Sequence, residues 1–164
     1  LRPQGAELEA IVPPNTLEGP NGIAALANGD LLVADFHGLW RIASPSTPQP
    51  PVHRLATPNG MYLGGFDGLA RAGDRVIGVQ NLVGRARIWS LALDADAAAV
   101  SDAQVLLRGH ADFRNPTTGA IAGDRFLFVA DPNVQTALPT GGVTPLPDGR
   151  TGHRILALPI RNLY

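Results

Sequence analysis

The 164-residue chain contains no cysteine, which excludes disulfides and thiolate metal sites and leaves the redox compartment open. Lysine is also absent. All 13 basic residues are arginine, a bias of composition rather than a functional signal, and against 14 acidic residues they leave a net charge of −1. A balance this even offers no electrostatic footprint for nucleic acid or an anionic membrane. No apolar run approaches the roughly 18–20 residues that span a bilayer. The four serines (Ser44, Ser46, Ser90 and Ser101) never fall in G-x-S-x-G, so a serine-hydrolase elbow is unsupported. The four histidines form no H-E-x-x-H or H-x-x-x-H pattern and are read as non-ligands. Walker-type phosphate loops are missing, and "LGGFDG" (63–68) lacks the helix that a dinucleotide motif demands. The chain starts at Leu1 with neither an initiator methionine nor a signal peptide, which leads us to expect a processed or partial sequence. The compartment stays open between cytoplasmic and periplasmic or secreted.

What the chain has is punctuation. Nineteen glycines and 15 prolines make up about a fifth of it, spread between apolar runs rather than gathered in one tract. That distribution reads as many tight turns. Three segments can be laid over one another: "PNGIAALANGDLLVADFHGLWRIA" from Pro20, "FDGLARAGDRVIGVQNLVGRARIWSLALD" from Phe66, and "TTGAIAGDRFLFVADPN" from Thr117, resuming as "GHRILALPI" at Gly152. Each runs from a polar residue through a glycine, an apolar strand, a Gly-Asp turn and a second apolar strand to an Asp or Asn. A loop, an arginine and a third strand then follow. The glycines taken as register marks are Gly22, Gly68 and Gly119, separated by 46 and 51 residues. Arg41-Ile42 and Arg87-Ile88 stand at the same distance from their glycines, while Arg154-Ile155 comes later.

A period of 40 to 50 residues, with several short strands per repeat and no helical periodicity, predicts an all-β protein, a partial β-propeller. Gly-Asp between apolar runs is a hairpin turn. "LLVAD", "RVIGVQN" and "RFLFVAD" are continuous apolar runs, as expected of strands covered on both faces. Fourth strands are expected at 52–56 and 103–109, and an outer strand of a preceding blade at 7–12, within residues 1–18. Three four-stranded blades are then expected at 19–62, 63–112 and 113–164. "SPSTPQPP" (44–51) and "TALPTGGVTPLPDGR" (136–150) read as surface loops, and Pro58-Asn59-Gly60 as a turn between blades. Trp40 and Trp89 are assigned to inter-blade packing. The recurring arginines are assigned to a solvated rim or to ion pairs with the Gly-Asp turns. Closed propellers have about four to eight blades, so three cannot close a ring. Either a further half lies outside this sequence or a second copy completes the ring.

The turns "GPNGIA" and "FDGLA", 46 residues apart, resemble those of the regucalcin/gluconolactonase family, within the calcium-dependent lactonase and phosphotriesterase superfamily. The resemblance implies six blades, of which this chain is similar to the C-terminal half. It also implies that Asn21 and Asp67 are metal ligands and that Asp67 is the general base of lactone hydrolysis. A small-molecule lactone or ester is the implied substrate. The family's remaining ligands, a Glu and another Asn, have no counterpart here.

In a propeller the innermost strand of each blade lines the central channel, so residues at its start can converge. Asn21, Asp67 and Thr118 are therefore grouped as one candidate site. Oxygen donors alone suit a hard cation, Ca²⁺ or another divalent ion. Asp35, Asn81 and Asp131, which close the second strand of each repeat, are candidates to line the channel mouth, or else they accept backbone bonds in the loops. These expectations add up to a metal-dependent lactonase-like hydrolase. The alternative is a non-catalytic binding or scaffold propeller similar to NHL-repeat proteins.

Overall fold

The computed structural model describes residues 9–58, 60–131 and 154–161. Among them, all regular structure is β and forms three antiparallel sheets. The first sheet holds β1 (Ile23–Ala25), β2 (Leu31–Ala34), β3 (Leu39–Ile42) and β4 (Val52–Arg54), in that order. The second holds β5 (Phe66–Ala72), β6 (Arg75–Gln80), β7 (Arg87–Leu93) and β8 (Val100–Arg108), again in chain order. The third holds β9 (Gly119–Ala122), β10 (Arg125–Asp131) and β11 (Arg154–Pro159), with β10 in the middle. Each sheet is a meander, the repeating unit of a propeller blade.

The hairpins explain how the blades are spaced. In the second and third blades two residues make the turn, with Ala72 paired to Arg75 and Ala122 to Arg125. Gly73 and Gly123 take φ of 62° and 59° there, as the first turn position of a type II′ hairpin demands. The first hairpin is longer, with the Leu26 N–H bonding the Asp30 carbonyl at 2.8 Å. It tucks Asp30 inward, where the carboxylate accepts from the Arg41 Nε at 2.6 Å and the Ser44 N–H at 2.9 Å.

Two apolar clusters flank the second blade. On one side Leu69, Val76, Trp89 and Leu91 meet Ala24, Leu32, Ala34 and Leu39 of the first blade. On the other, Ala72, Ile77, Val79 and Ile88 meet Phe126, Phe128 and Ala130 of the third. The two phenylalanine rings of β10 stack with centroids 5.5 Å apart. A parallel bridge between Ala56 and Ala99 ties the first two blades where β4 leads out.

Three expectations need adjusting. No strand forms over residues 9–18, so the outer strand expected at 7–12 is absent over its described part. Its first two residues lie outside the described residues, as does the loop at 136–150. The matched spacing of Arg41 and Arg87 is a coincidence of loop lengths. Pairing sets Trp40 opposite Val33 and Trp89 opposite Gly78, so the two tryptophans are equivalent and Arg41 is level with Ser90. The short loop from Ala34 to Leu39 draws Arg41 away from Arg87. Among the arginines, Arg41 does pair with its Gly-Asp turn, whereas Arg87 donates to the buried Gln80 Oε1 at 3.0 Å.

Candidate functional site

The inner strands β1, β5 and β9 stand side by side, and their first residues are brought together by close backbone approach. A Cβ placed on Gly22 would lie 3.0 Å from the Gly68 carbonyl carbon, and one on Gly68 would lie 2.6 Å from Thr118 Cα. Only a residue without a side chain permits that contact at Gly68. Pairing then fixes the register across blades. Gly68 is four residues before the end of its hairpin strand at Ala72, and Thr118 is four before Ala122. Thr118 is therefore level with Gly68, and Thr117 is level with Asp67. The glycine match that put Thr118 beside Asp67 slips by one residue, because in the third blade Thr118 itself occupies the level of Gly22 and Gly68.

Asp67 sits on a β-bulge. Phe66 pairs with Gln80 and Gly68 with Val79, which leaves Asp67 as the extra, unpaired residue. Bulges re-aim a side chain and are frequent beside active sites. The Asn81 Nδ2 donates to Asp67 Oδ2 at 2.6 Å and to the Pro116 carbonyl at 2.8 Å, bridging the second blade to the lead-in of the third. Asn81 Oδ1 is buried with no hydrogen-bond partner. An orphaned acceptor of this kind costs about 1–3 kcal/mol unless a donor or cation reaches it. Asn21 is exposed, Asp67 half-buried and Thr118 exposed. The Asn21 N–H bonds the Ala34 carbonyl at 3.0 Å.

The other candidates go elsewhere. Asp35 is 2% exposed. Its Oδ1 accepts from the His37 and Gly38 N–H groups at 2.7 and 2.9 Å, and its Oδ2 from the Glu18 N–H at 3.2 Å. It closes the loop that joins β2 to β3. Asp131 is buried too, with the Arg114 Nε 3.8 Å away. Of the three strand-ending residues, only Asn81 is joined to Asp67.

The same end of the blades carries large apolar side chains that sequence reasoning passed over. Phe36 follows Asp35 and Leu82 follows Asn81. Both are about half exposed, as is Tyr62, whose hydroxyl donates to the Phe36 carbonyl. Their signal was an apolar residue straight after a strand-ending polar one. Beyond them an open cleft of about 430 Å³ is lined by Asn81, Arg85, His110, Phe113 and Asn115. Among the described residues, no three His, Asp or Glu side chains gather as a metal cluster. The donors at the strand starts are an amide, a carboxylate and a hydroxyl. That chemistry suits a hard cation, with fewer oxygens than the six to eight Ca²⁺ takes.

No family model and no curated protein sequence matches the chain. Solved structures do. A gluconolactonase from Xanthomonas campestris superposes with a TM-score of 0.56 at 20% identity, over 87% of this chain and 44% of that one. A Thermus thermophilus protein described as an oxidoreductase (glucose dehydrogenase) superposes with a TM-score of 0.55 at 17% identity, over 93% of this chain and 47% of that one. The fold is that of a partial, gluconolactonase-like β-propeller. The chain thus spans less than half the length of the propellers it matches. Among the described residues no helix is long and apolar enough to cross a membrane.

Proposed function

We propose that this propeller contributes to the hydrolysis of a lactone of a sugar or related compound, with Asn21 and Asp67 holding a divalent cation, Ca²⁺ by preference, and Asp67 acting as general base. The observation that carries the reading is the bulge at Asp67. It takes a carboxylate out of the ladder at the start of an inner strand, one blade away from the register-matched Asn21. The orphaned Asn81 Oδ1 beside it supplies a further oxygen donor. Both matched propellers carry descriptions that concern sugars, which favours a sugar-derived substrate.

When bound, the cation would polarise the lactone carbonyl. Asp67 accepts a proton from water as the water oxygen attacks the carbonyl carbon. The ring C–O bond then breaks, and the proton passes to the departing ring oxygen, which leaves as a hydroxyl. Asn81 orients the carboxylate through its 2.6 Å bond, and Phe36, Tyr62 and Leu82 give the sugar an apolar rim to lie against.

Hydrolysis of D-glucono-1,5-lactone by the 164-residue chain, with calcium and with EDTA, tests this. Asp67→Asn is expected to lower the calcium-dependent rate by about 10²-fold or more. Asn21→Ala is expected to raise the calcium concentration needed for half-maximal rate. Equal rates for the wild type and Asp67→Asn would remove Asp67 from the mechanism. Such a result would favour the non-catalytic binding propeller, for which the Asn81–Asp67–Pro116 bridge is an inter-blade tie and nothing more.

A further inference from the structure

The cleft beside Asn81 is built by two loops whose other residues the proposed mechanism does not use. One joins β6 to β7 and supplies Arg85. The other leads from β8 toward β9 and supplies His110, Phe113 and Asn115. Gly109 lets the two loops meet: its N–H bonds the Ala86 carbonyl at 3.0 Å, and a Cβ there would lie 3.3 Å from Arg85 Cδ. Arg85 makes no hydrogen bond or ion pair among the described residues. His110 Nδ1 accepts from the Asp112 N–H at 3.2 Å, so the neutral ring carries its proton on Nε2, which donates to no described residue. The imidazole leans on Phe113 with centroids 5.7 Å apart, and Phe113 in turn meets Phe128 edge-on. The carboxylates nearby are already engaged. Asp112 takes the Arg154 Nη1 at 2.6 Å and lies 3.7 Å from His110 Nδ1, and Asp131 lies 3.8 Å from the Arg114 Nε. The cleft thus presents two unused donors, a guanidinium and an imidazole N–H, on an aromatic wall.

We infer that this cleft takes an anionic group borne on the sugar, a phosphate or a carboxylate, and that Arg85 is the residue that selects for it. The inference rests on the reading that Asp67 marks the reaction site. Asn81 links the two places, since it lines the cleft and donates to Asp67 Oδ2 at 2.6 Å. A guanidinium presents paired N–H groups that fit two oxygens of a carboxylate or phosphate, and the His110 Nε2–H adds a further donor. At about 430 Å³ the cleft has room for such a group with part of a sugar attached. Charge points the same way. With the proposed divalent cation on Asp67, the cation and Arg85 leave the site positive, which an anionic substrate offsets and a neutral lactone does not.

Isothermal titration calorimetry of the 164-residue chain in calcium buffer tests this without turnover. The probes are D-gluconate, 6-phospho-D-gluconate, D-glucarate and inorganic phosphate. The sugar phosphate or the dicarboxylate is expected to bind about tenfold tighter than gluconate, and whichever does so identifies the anionic group. In Arg85→Gln the ratio is expected to fall to about one. Arg85→Lys is expected to keep part of the preference, because it retains the charge and loses the paired geometry. Equal affinity of the wild type for all three sugars would overturn the inference, as would no detectable binding of any of them. A preference that survives Arg85→Gln would do the same, and so would inorganic phosphate binding as tightly as the sugar phosphate. Lactone hydrolysis is scored separately. Equal rates for the wild type and Asp67→Asn, beside a preference that depends on Arg85, would remove the proposed base and leave the anion site standing in a binding propeller.

Discussion

The second and third blades are built from nearly the same pattern and live in different surroundings. Val79 and Val129 share a level, as do Ile77 and Leu127, and Ile88 and Ile155. The second-blade members are fully buried; Leu127 and Val129 are half-buried and Ile155 is mostly exposed. A propeller residue is thus buried by the neighbouring blade, and its own sheet contributes only the pairing. The energetic worth of one sequence pattern depends on what stands next to it, as in other repeat arrays.

Truncating matched residues on the two blades exposes this most strongly. Ile88→Ala removes buried methyl groups from a packed interface and is expected to cost about 2–5 kcal/mol in denaturant unfolding. Ile155→Ala in dilute solution is expected to stay within about 0.5 kcal/mol, as at most exposed sites. A cost at Ile155 that equals the cost at Ile88 even at high dilution would break the comparison.

The inner strands give a second contrast. Gly68 and Thr118 hold the same level in successive blades, yet a Cβ on Gly68 would meet the Thr118 backbone at 2.6 Å. Backbone cannot swing aside as a side chain can, so Gly68→Ala is expected to destabilise by about 1–3 kcal/mol through overpacking. Thr118→Ala, at an exposed position, is expected to change stability by less than about 0.5 kcal/mol. Chemical denaturation of both variants checks the pair, and a harmless Gly68→Ala would mean that the inner strands are not in contact.

These contrasts also mark how far the sequence could be read. The all-β class, the hairpin turns at Gly73 and Gly123 and the middle strands were legible, because apolar runs and turn glycines are local signals. The exact level of each residue was not. Thr118 was matched to Asp67 through Gly119, but register depends on pairing across a hairpin, and pairing is not local. Arg41 and Arg87 failed as equivalents for the same reason: two loops of unequal length restored equal spacing at unequal heights. The bulge that frees Asp67 left no trace in the composition, since it depends on which residue of β6 faces Phe66. Asn81 was flagged for ending a strand, yet its bond to Asp67 joins residues from different strands.

The smallest expected effects lie at the turns. Asp30 and Asp124 both follow a turn glycine, but Asp30 is buried while Asp124 is exposed and pairs with Arg161 at 3.4 Å. The Ser44 N–H holds the Asp30 carboxyl below its ordinary value, burial opposes the shift, and Arg41 and Asn28 add to it. A carboxylate with a lowered folded-state pKa contributes stability above its unfolded value and loses that contribution as pH falls through the folded value. Asp30→Asn is therefore expected to cost roughly 1 kcal/mol at neutral pH, a modest figure because water screens the partly exposed Arg41. The gap between wild type and variant should hold down to about pH 4 and close below it. Asp124→Asn, which removes only an exposed surface pair, should change stability at neutral pH by no more than about 0–1 kcal/mol. Thermal melts of the three proteins between neutral and acid pH measure both. A gap at Asp30 that persisted unchanged into acid would mean that the inward turn is held by shape, with its charge contributing nothing.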